Sequence, residues 1–235
     1  GIRDRSPSRG LGDVYKRQAT RLPFVIFESK PTFLEYPLDN EITIIVVVEY
    51  DRSGIKPVTF ELLNAARKLA GNGKIIALYF TDEENVDDSP LTHYGADEIR
   101  ICIHPAYHQY THETYNDGLQ SEIEKIQPDI VLMPASNSGK ELSAAVATRL
   151  GVVVASDCIE VQRSEEGKVT IKRPVFAGKA YSLCKLSGPK PYLITLRPNC
   201  FRGEGPDYSR ISETTKVKIS LPDFLYLKLS REVGN

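Results

Sequence analysis

At 235 residues, 41% hydrophobic and 26% charged, the chain has the make-up of a globular protein of one domain or two small ones. Its net charge of −1 is unevenly built: residues 1–18 hold five Lys/Arg against two Asp and contribute +3, leaving −4 for the rest. No basic stripe after residue 18 favours nucleic acid, no apolar run reaches the ~18 residues of a membrane span, and Cys102, Cys158, Cys184 and Cys200 lie too far apart for a disulfide framework or a metal ligand set.

In chain order, "GIRDRSPSRGLGDVYKRQ" (1–18) has neither the apolar core of a signal peptide nor an amphipathic stripe. It reads as a non-native scar of translated adapter sequence, and since Met133 is the only methionine, residue 1 is not read as a native start. A basic RNA-binding arm is the other reading of this segment. Residues 19–41, with "LPFVIFES" and several prolines, read as an edge strand or linker.

From Ile42 the pattern sharpens. "ITIIVVVEY" (42–50) is a near-continuous β-branched run, as in a strand buried on both faces of a parallel sheet. "TFELLNAARKLAG" (59–71) places Phe60, Leu63, Ala66, Leu69 and Ala70 on one helical stripe, with Gly71 as C-cap. Strands follow at "KIIALYFT" (74–81) and Glu98–Ile103. A helix over 110–127 carries Tyr115, Leu119, Ile123 and Ile126 on one face, and "PDIVLMPA" (128–135) is a further buried strand. The next helix, within "PASNSGKELSAAVATRLG" (134–151), faces the sheet through Leu142, Ala145, Val146 and Leu150.

Alternating strands and helices on short connections predict an α/β fold: a three-layer, doubly wound, mostly parallel sheet of the adenine-nucleotide alpha-hydrolase-like kind. Past Gly151 the stretches "CIEVQR", "KVTIKRPV", "AYSLCKLS" and "PYLITLRP" read as antiparallel strands extending or edging that sheet, and "TKVKISL" (215–221) as a final strand.

The turn at 134–141 has the layout of a phosphate cradle, but Pro134 stands where the first Gly of a P-loop belongs and Glu141 replaces its hydroxyl. Ser138 and Glu141 instead spell a capping box. A helix start beside Lys140 still leaves Ser136, Asn137, Ser138, Gly139 and Lys140 as a weak anion or nucleotide-like site. "GNGKII" (71–76) runs from helix to strand, the reverse of a dinucleotide fingerprint. His108 and His112 lack the internal Glu of a zinc-protease helix, and Tyr107 and Tyr110 beside them suggest a solvated loop, so no metal site is assigned. No catalytic residues can be assembled. Arg173-Pro174 and Arg197-Pro198 each close a β-rich run, where an arginine fork can hold either a neighbouring chain or local backbone.

Taken in order, "YGADEIRI", "SNSGKELSAAVATRLGVVVASDCIEV", "KRPVFAGKAY" and "TLRPNCF" resemble the N-terminal domain of the electron-transfer flavoprotein alpha subunit. The family's pattern falls on Ser136, Gly139, Lys140, Glu141, Leu142, Asp157, Cys158, Arg173, Pro174, Gly178, Arg197, Pro198 and Phe201, with Lys140 in place of the usual Arg.

The resemblance covers roughly 42–205 and implies a scaffold and heterodimerisation domain. Its interface or structural residues would be Asp157, Arg173, Pro174, Gly178, Arg197 and Pro198. It implies a beta subunit as partner, whose equivalent fold binds AMP or a second flavin. Acyl-CoA or other flavin dehydrogenases would be donors through the complex, and a quinone reductase or other acceptor would take the electrons. The redox FAD would be held in a C-terminal domain absent here, so that residues 206–235 begin a linker towards it. Nucleic acid and membrane insertion are not expected. The location would be the cytoplasm, or the mitochondrial matrix in a eukaryote. The alternative from another class is a stand-alone adenine-nucleotide-binding module of universal-stress-like fold, binding near Glu49, Ser136 and Lys140.

Overall fold

A computed structural model describes residues 41–203 and 205–221; the expectations for 1–40 and 222–235 lie outside the described residues. Strand β1 (Thr43–Val47) is followed by a two-residue ribbon, β2 (Tyr50–Asp51) and β3 (Gly54–Ile55), and by helix α1 (Pro57–Ala70). Next come β4 (Lys74–Thr81), the short α2 (Ser89–His93), β5 (Glu98–Ile103), α3 (His112–Ile126), β6 (Ile130–Pro134) and α4 (Asn137–Leu150). The second half adds β7 (Val154–Cys158), β8 (Glu160–Arg163), β9 (Val169–Val175), β10 (Ala180–Lys185), β11 (Tyr192–Leu196) and β12 (Glu213–Lys218).

Seven strands form one sheet in the order β12-β5-β4-β1-β6-β11-β7, and every neighbouring pair is parallel. The strands are apolar in both pleat directions, so each face needs cover. Ile44, Val46, Ala77, Tyr79, Ile130 and Leu132 pack with Leu62, Leu63, Ala66 and Leu69 of α1 on one side. Ile45, Val47, Leu78, Phe80, Val131 and Met133 pack with Leu119 and Ile123 of α3 and Leu142 and Val146 of α4 on the other. Three layers follow directly from that period of two. In α4 it is Ala147 that is buried, whereas Ala145 and Leu150 lie at the margin of the buried stripe.

The late strands differ from the sequence reading in two respects. β8, β9 and β10 form a separate antiparallel sheet, but "PYLITLRP" supplies β11, which runs parallel between β6 and β7 inside the main sheet. Its side chains suit that interior position: Leu193, Ile194, Thr195 and Leu196 are all buried, as in a strand of a parallel sheet covered on both faces. Arg173 and Pro174 also do not close a run. They sit inside β9, paired with Ser182 and Tyr181 of β10. At the far edge, β12 pairs with β5, so the sheet includes residues up to Lys218.

Candidate functional site

Strand order reverses at β1: β4 and β5 lie to one side, β6 and β11 to the other. Open α/β sheets bind ligands outside the strand C-termini at such a point, because loops leaving in opposite directions open a crevice. A cleft of about 220 Å³ lies there, lined by Val47, Val48, Glu49, Tyr50, Lys56, Tyr110, Tyr115, Met133, Pro134, Ser138, Gly139 and Leu142.

The start of α4 forms one wall. Its N-cap is Ser136, whose Oγ accepts from the Gly139 N–H at 3.1 Å, while the Lys140 N–H donates to the Ser136 carbonyl. The expected capping box of Ser138 and Glu141 is therefore replaced by a cap two residues earlier. The helix begins as soon as β6 ends, and Ser138 is already inside its first turn. Glu141 turns outward to accept from the Tyr110 hydroxyl at 3.3 Å. Gly139 is required by space: a Cβ there would stand 2.0 Å from the Pro134 carbonyl oxygen. Of the five residues expected around an anion, Ser138 and Gly139 line the cleft. Ser136 is committed to the cap, and Lys140 reaches away towards Asp157.

The other wall is aromatic. Tyr110 and Tyr115 pack with ring centroids 4.9 Å apart, and Tyr115 meets the buried Tyr107 at 5.0 Å. Tyr107 and Tyr110 are thus not a solvated loop surface: Tyr107 lies in the core beneath Gly118, and Tyr110 is half-buried. Burial, reinforced by Glu141, raises the Tyr110 phenol, and burial beside Tyr50 raises Tyr115, so both remain neutral donors. The tyrosine signal was present in the sequence at 107, 110 and 115 but scattered over a turn and a helix. Glu49 and Lys56 pair at the rim at 3.3 Å.

The histidines do not converge. His108 is exposed beside Asp82 at 2.9 Å, His104 accepts the Ala106 N–H, and His112 opens α3, 3.9 Å from Glu141. Among the described residues no group of three or more His, Cys, Asp or Glu could hold a metal.

A second cluster gathers three residues far apart in sequence. Asp157, at the end of β7 with φ 62°, receives two N–H donors from Arg197, at 3.0 Å from Nε and 2.6 Å from Nη2. Lys140 Nζ stands 3.8 Å from the same carboxylate. The Arg197 fork is therefore spent within the chain, tying the end of β11 to the end of β7. A lysine in place of an arginine at 140 keeps the charge but offers a single point contact.

The Arg197 hydrogen bonds, with Lys140 nearby, hold Asp157 below the ordinary carboxylate range. A depressed folded-state value means stability that is present above the unfolded pKa of about 3.9 and lost as pH falls through the folded value. Asp157→Asn is accordingly expected to lower the melting temperature at pH 7, with the gap to the parent closing at pH 3. An equal gap at both pH values would show that the carboxylate charge does not matter.

Arg173 sits differently: its Nε is buried without a hydrogen-bond acceptor among the described residues. After β9 the chain makes a tight turn at Phe176, Ala177 and Gly178, with φ of 51°, 53° and 84° in succession. Only Gly178 adopts that region at no steric cost. The turn throws Phe176 outward, 79% exposed, next to Tyr181 and Leu183, which are 59% and 74% exposed on one face of β10. Pro198 follows β11 and is half-buried.

Residues 44–222 match the electron transfer flavoprotein domain. The chain belongs to that family. It is 31% identical over 180 residues to the electron transfer flavoprotein subunit alpha of Bacillus subtilis, covering 77% of this chain and 55% of that protein. It is 32% identical over 206 residues to Protein FixB of Azotobacter vinelandii, covering 82% and 56%. A further relative is the lactate dehydrogenase (NAD(+),ferredoxin) subunit LctC of Acetobacterium woodii, 29% identical over 179 residues, covering 75% and 42%. The chain thus spans about half the length of the curated relatives it matches. No helix among the described residues is long and apolar enough to cross a membrane.

Proposed function

We propose that residues 42–221 are the N-terminal module of an electron-transfer flavoprotein alpha subunit, serving as scaffold and pairing surface rather than as redox centre. The observation that carries this reading is the family match over 44–222 on a seven-stranded parallel sheet with an appended antiparallel arm. FAD does not fit the described residues. The switch-point cleft, at about 220 Å³, is smaller than the ~300–1,000 Å³ that encloses even a drug-sized molecule. Of the N–H groups at the start of α4, that of Gly139 is already engaged by the Ser136 cap. The flavin of the assembly is therefore assigned to a part of the heterodimer outside these residues.

Pairing with a beta-type subunit is assigned to the antiparallel arm. Phe176, Tyr181 and Leu183 present an apolar strip there, with Lys172 over the Tyr181 ring at 5.2 Å. Asp157, Arg173, Pro174, Gly178, Arg197 and Pro198 are proposed to shape it from beneath: Arg197 and Asp157 lock the strand ends, and Pro174 and Gly178 set the course of β9 and its turn. Large side chains desolvated at the centre of an interface typically contribute ~2 kcal/mol or more. Co-expression with a beta subunit from an organism carrying the relatives tests this. The parent chain is expected to co-purify, and Phe176→Asp with Leu183→Asp to lose at least tenfold in affinity while retaining its circular dichroism. Undiminished capture by the double variant would place the interface elsewhere.

A further inference from the structure

Strand edges are normally blunted, because their unpaired N–H and C=O groups invite any extended chain to add on. Both edges of the main sheet are treated in that way. β12 carries Lys216 and Lys218 and exposes no large apolar side chain, and β7 has a register shift against β11 and a left-handed residue at Asp157. β10, the outer strand of the antiparallel arm, is not blunted. It pairs with β9 through six regular partners, from Ala180 with Val175 to Lys185 with Thr170, and contains no proline. Among the described residues its other side faces no strand, and its exposed face presents Tyr181 and Leu183.

The charge around this edge is one-sided. From Gly167 to Gly203 the chain holds eight Lys/Arg and no Asp or Glu, against 22 and 31 in the rest, so a stretch of +8 stands in a chain whose remainder carries −9. The cations are spaced out, so no basic run announces them in the sequence. Lys172 is shared between Glu160, at 3.6 Å, and the Tyr181 ring. Lys179 and Lys185 are exposed at the two ends of β10 and have no ion-pair partner among the described residues. Taken by twos from Lys179, the residue just before the strand, the positions read cation, apolar, apolar, cation through Tyr181, Leu183 and Lys185.

We propose that β10 is completed in the assembled protein by a strand of the beta-type subunit whose alternate residues read acidic, apolar, apolar, acidic. Its carboxylates would lie opposite Lys179 and Lys185, and its apolar pair opposite Tyr181 and Leu183. The inference rests on the pairing assigned to the arm above and adds its mode: main-chain hydrogen bonds along the edge give affinity, and the side-chain pattern gives the choice of partner. Opposite charges directly across two strands attract and like charges repel, so the lysines also turn away basic segments that an open edge would accept. Nucleic acid would answer the cations but would leave the strand edge unpaired and Leu183 uncovered.

Amide hydrogen exchange on the full chain, alone and co-purified with a beta subunit, reads the edge directly. The alternate β10 amides that face away from β9 are expected to exchange freely in the chain alone and to slow by about tenfold or more in the pair. Lys179→Glu with Lys185→Glu is expected to lose about tenfold in affinity at ~0.1 M salt and clearly less at ~1 M, where the Debye length falls from about 10 Å to about 3 Å. Both lysines are exposed, so circular dichroism should be unchanged. Capture with those amides still exchanging freely, or capture indifferent to the lysine changes, would overturn this inference and leave the pairing reading standing. That reading has its own check in Phe176→Asp with Leu183→Asp, and a parent chain that captures no beta subunit would remove both. Tighter binding of a short single-stranded oligothymidylate than of the beta subunit would assign the face to nucleic acid and likewise overturn the proposal.

Discussion

Gly139→Ala is expected to destabilise the protein by about 3 kcal/mol, at the upper end of the range for forcing an atom into packed surroundings. The sign is the informative part. In an isolated helix, replacing an interior Gly by Ala stabilises by up to about 1 kcal/mol. Here the added Cβ would lie 2.0 Å from the Pro134 carbonyl oxygen and 3.3 Å from the Ser136 Oγ that caps the helix. Backbone cannot rotate aside as a side chain can, so α4 must lift away from the end of β6. Urea titration of the two proteins measures the difference. A variant as stable as the parent would mean that the helix start does not press on the strand.

The second large effect is expected at Glu122. Its side chain is 0% exposed on α3, yet it carries a carboxylate that accepts from Arg100 Nε and Nη2 at 2.9 and 2.8 Å and from Lys125 at 2.7 Å. Arg100 in turn holds Glu98 at 3.1 Å, and Lys74 reaches Glu98 at 2.6 Å. Hydrogen bonds from Lys74 and Arg100 pull the Glu98 carboxyl below its ordinary range against the burial that raises it. Glu122→Ala removes the central acceptor and leaves Arg100 partly buried with one partner. Breaking a buried pair in this way costs about 3 kcal/mol. Replacing both partners, Arg100→Met with Glu122→Leu, should cost clearly less than the sum of the two single changes, because no charge is then stranded. Strict additivity of the three variants would show that the ions act independently.

Both residues show how much of this protein is visible before folding. Glu122 lies three residues after Leu119 and four before Ile126, so helical spacing sets it against the apolar stripe, but nothing local announces that β5 will place Arg100 beside it. Gly139 was legible as a family marker and as part of a turn, but its reason, the closeness of Pro134, comes from the angle between β6 and α4. The cap two residues early has the same origin. The S-x-x-E spacing at Ser138 and Glu141 was sound, but β6 ended soon enough for Ser136 to begin the helix, freeing Glu141 to meet Tyr110 from a different segment.

The sequence by itself determined the local periodicities and what they entail. Apolar runs at 42–47, 74–81 and 130–134 had to be buried on both faces, and helices between them had to supply the cover. That dictated a three-layer α/β fold and, through the ordered motifs from Ser136 to Phe201, the family. Only the tertiary structure decided the order of strands. Whether "PYLITLRP" lay at an edge or between β6 and β7 depended on which surfaces remained uncovered once β8–β10 had left the main sheet. It also decided the site: Lys140, Asp157 and Arg197 share one ion cluster, and Tyr50, Tyr110 and Tyr115 one wall, because parallel strands bring their C-terminal loops to the same end. Periodicity is set by neighbours along the chain and can be read from it. Convergence is set by crossings between segments scores of residues apart, and that information resides in no single stretch.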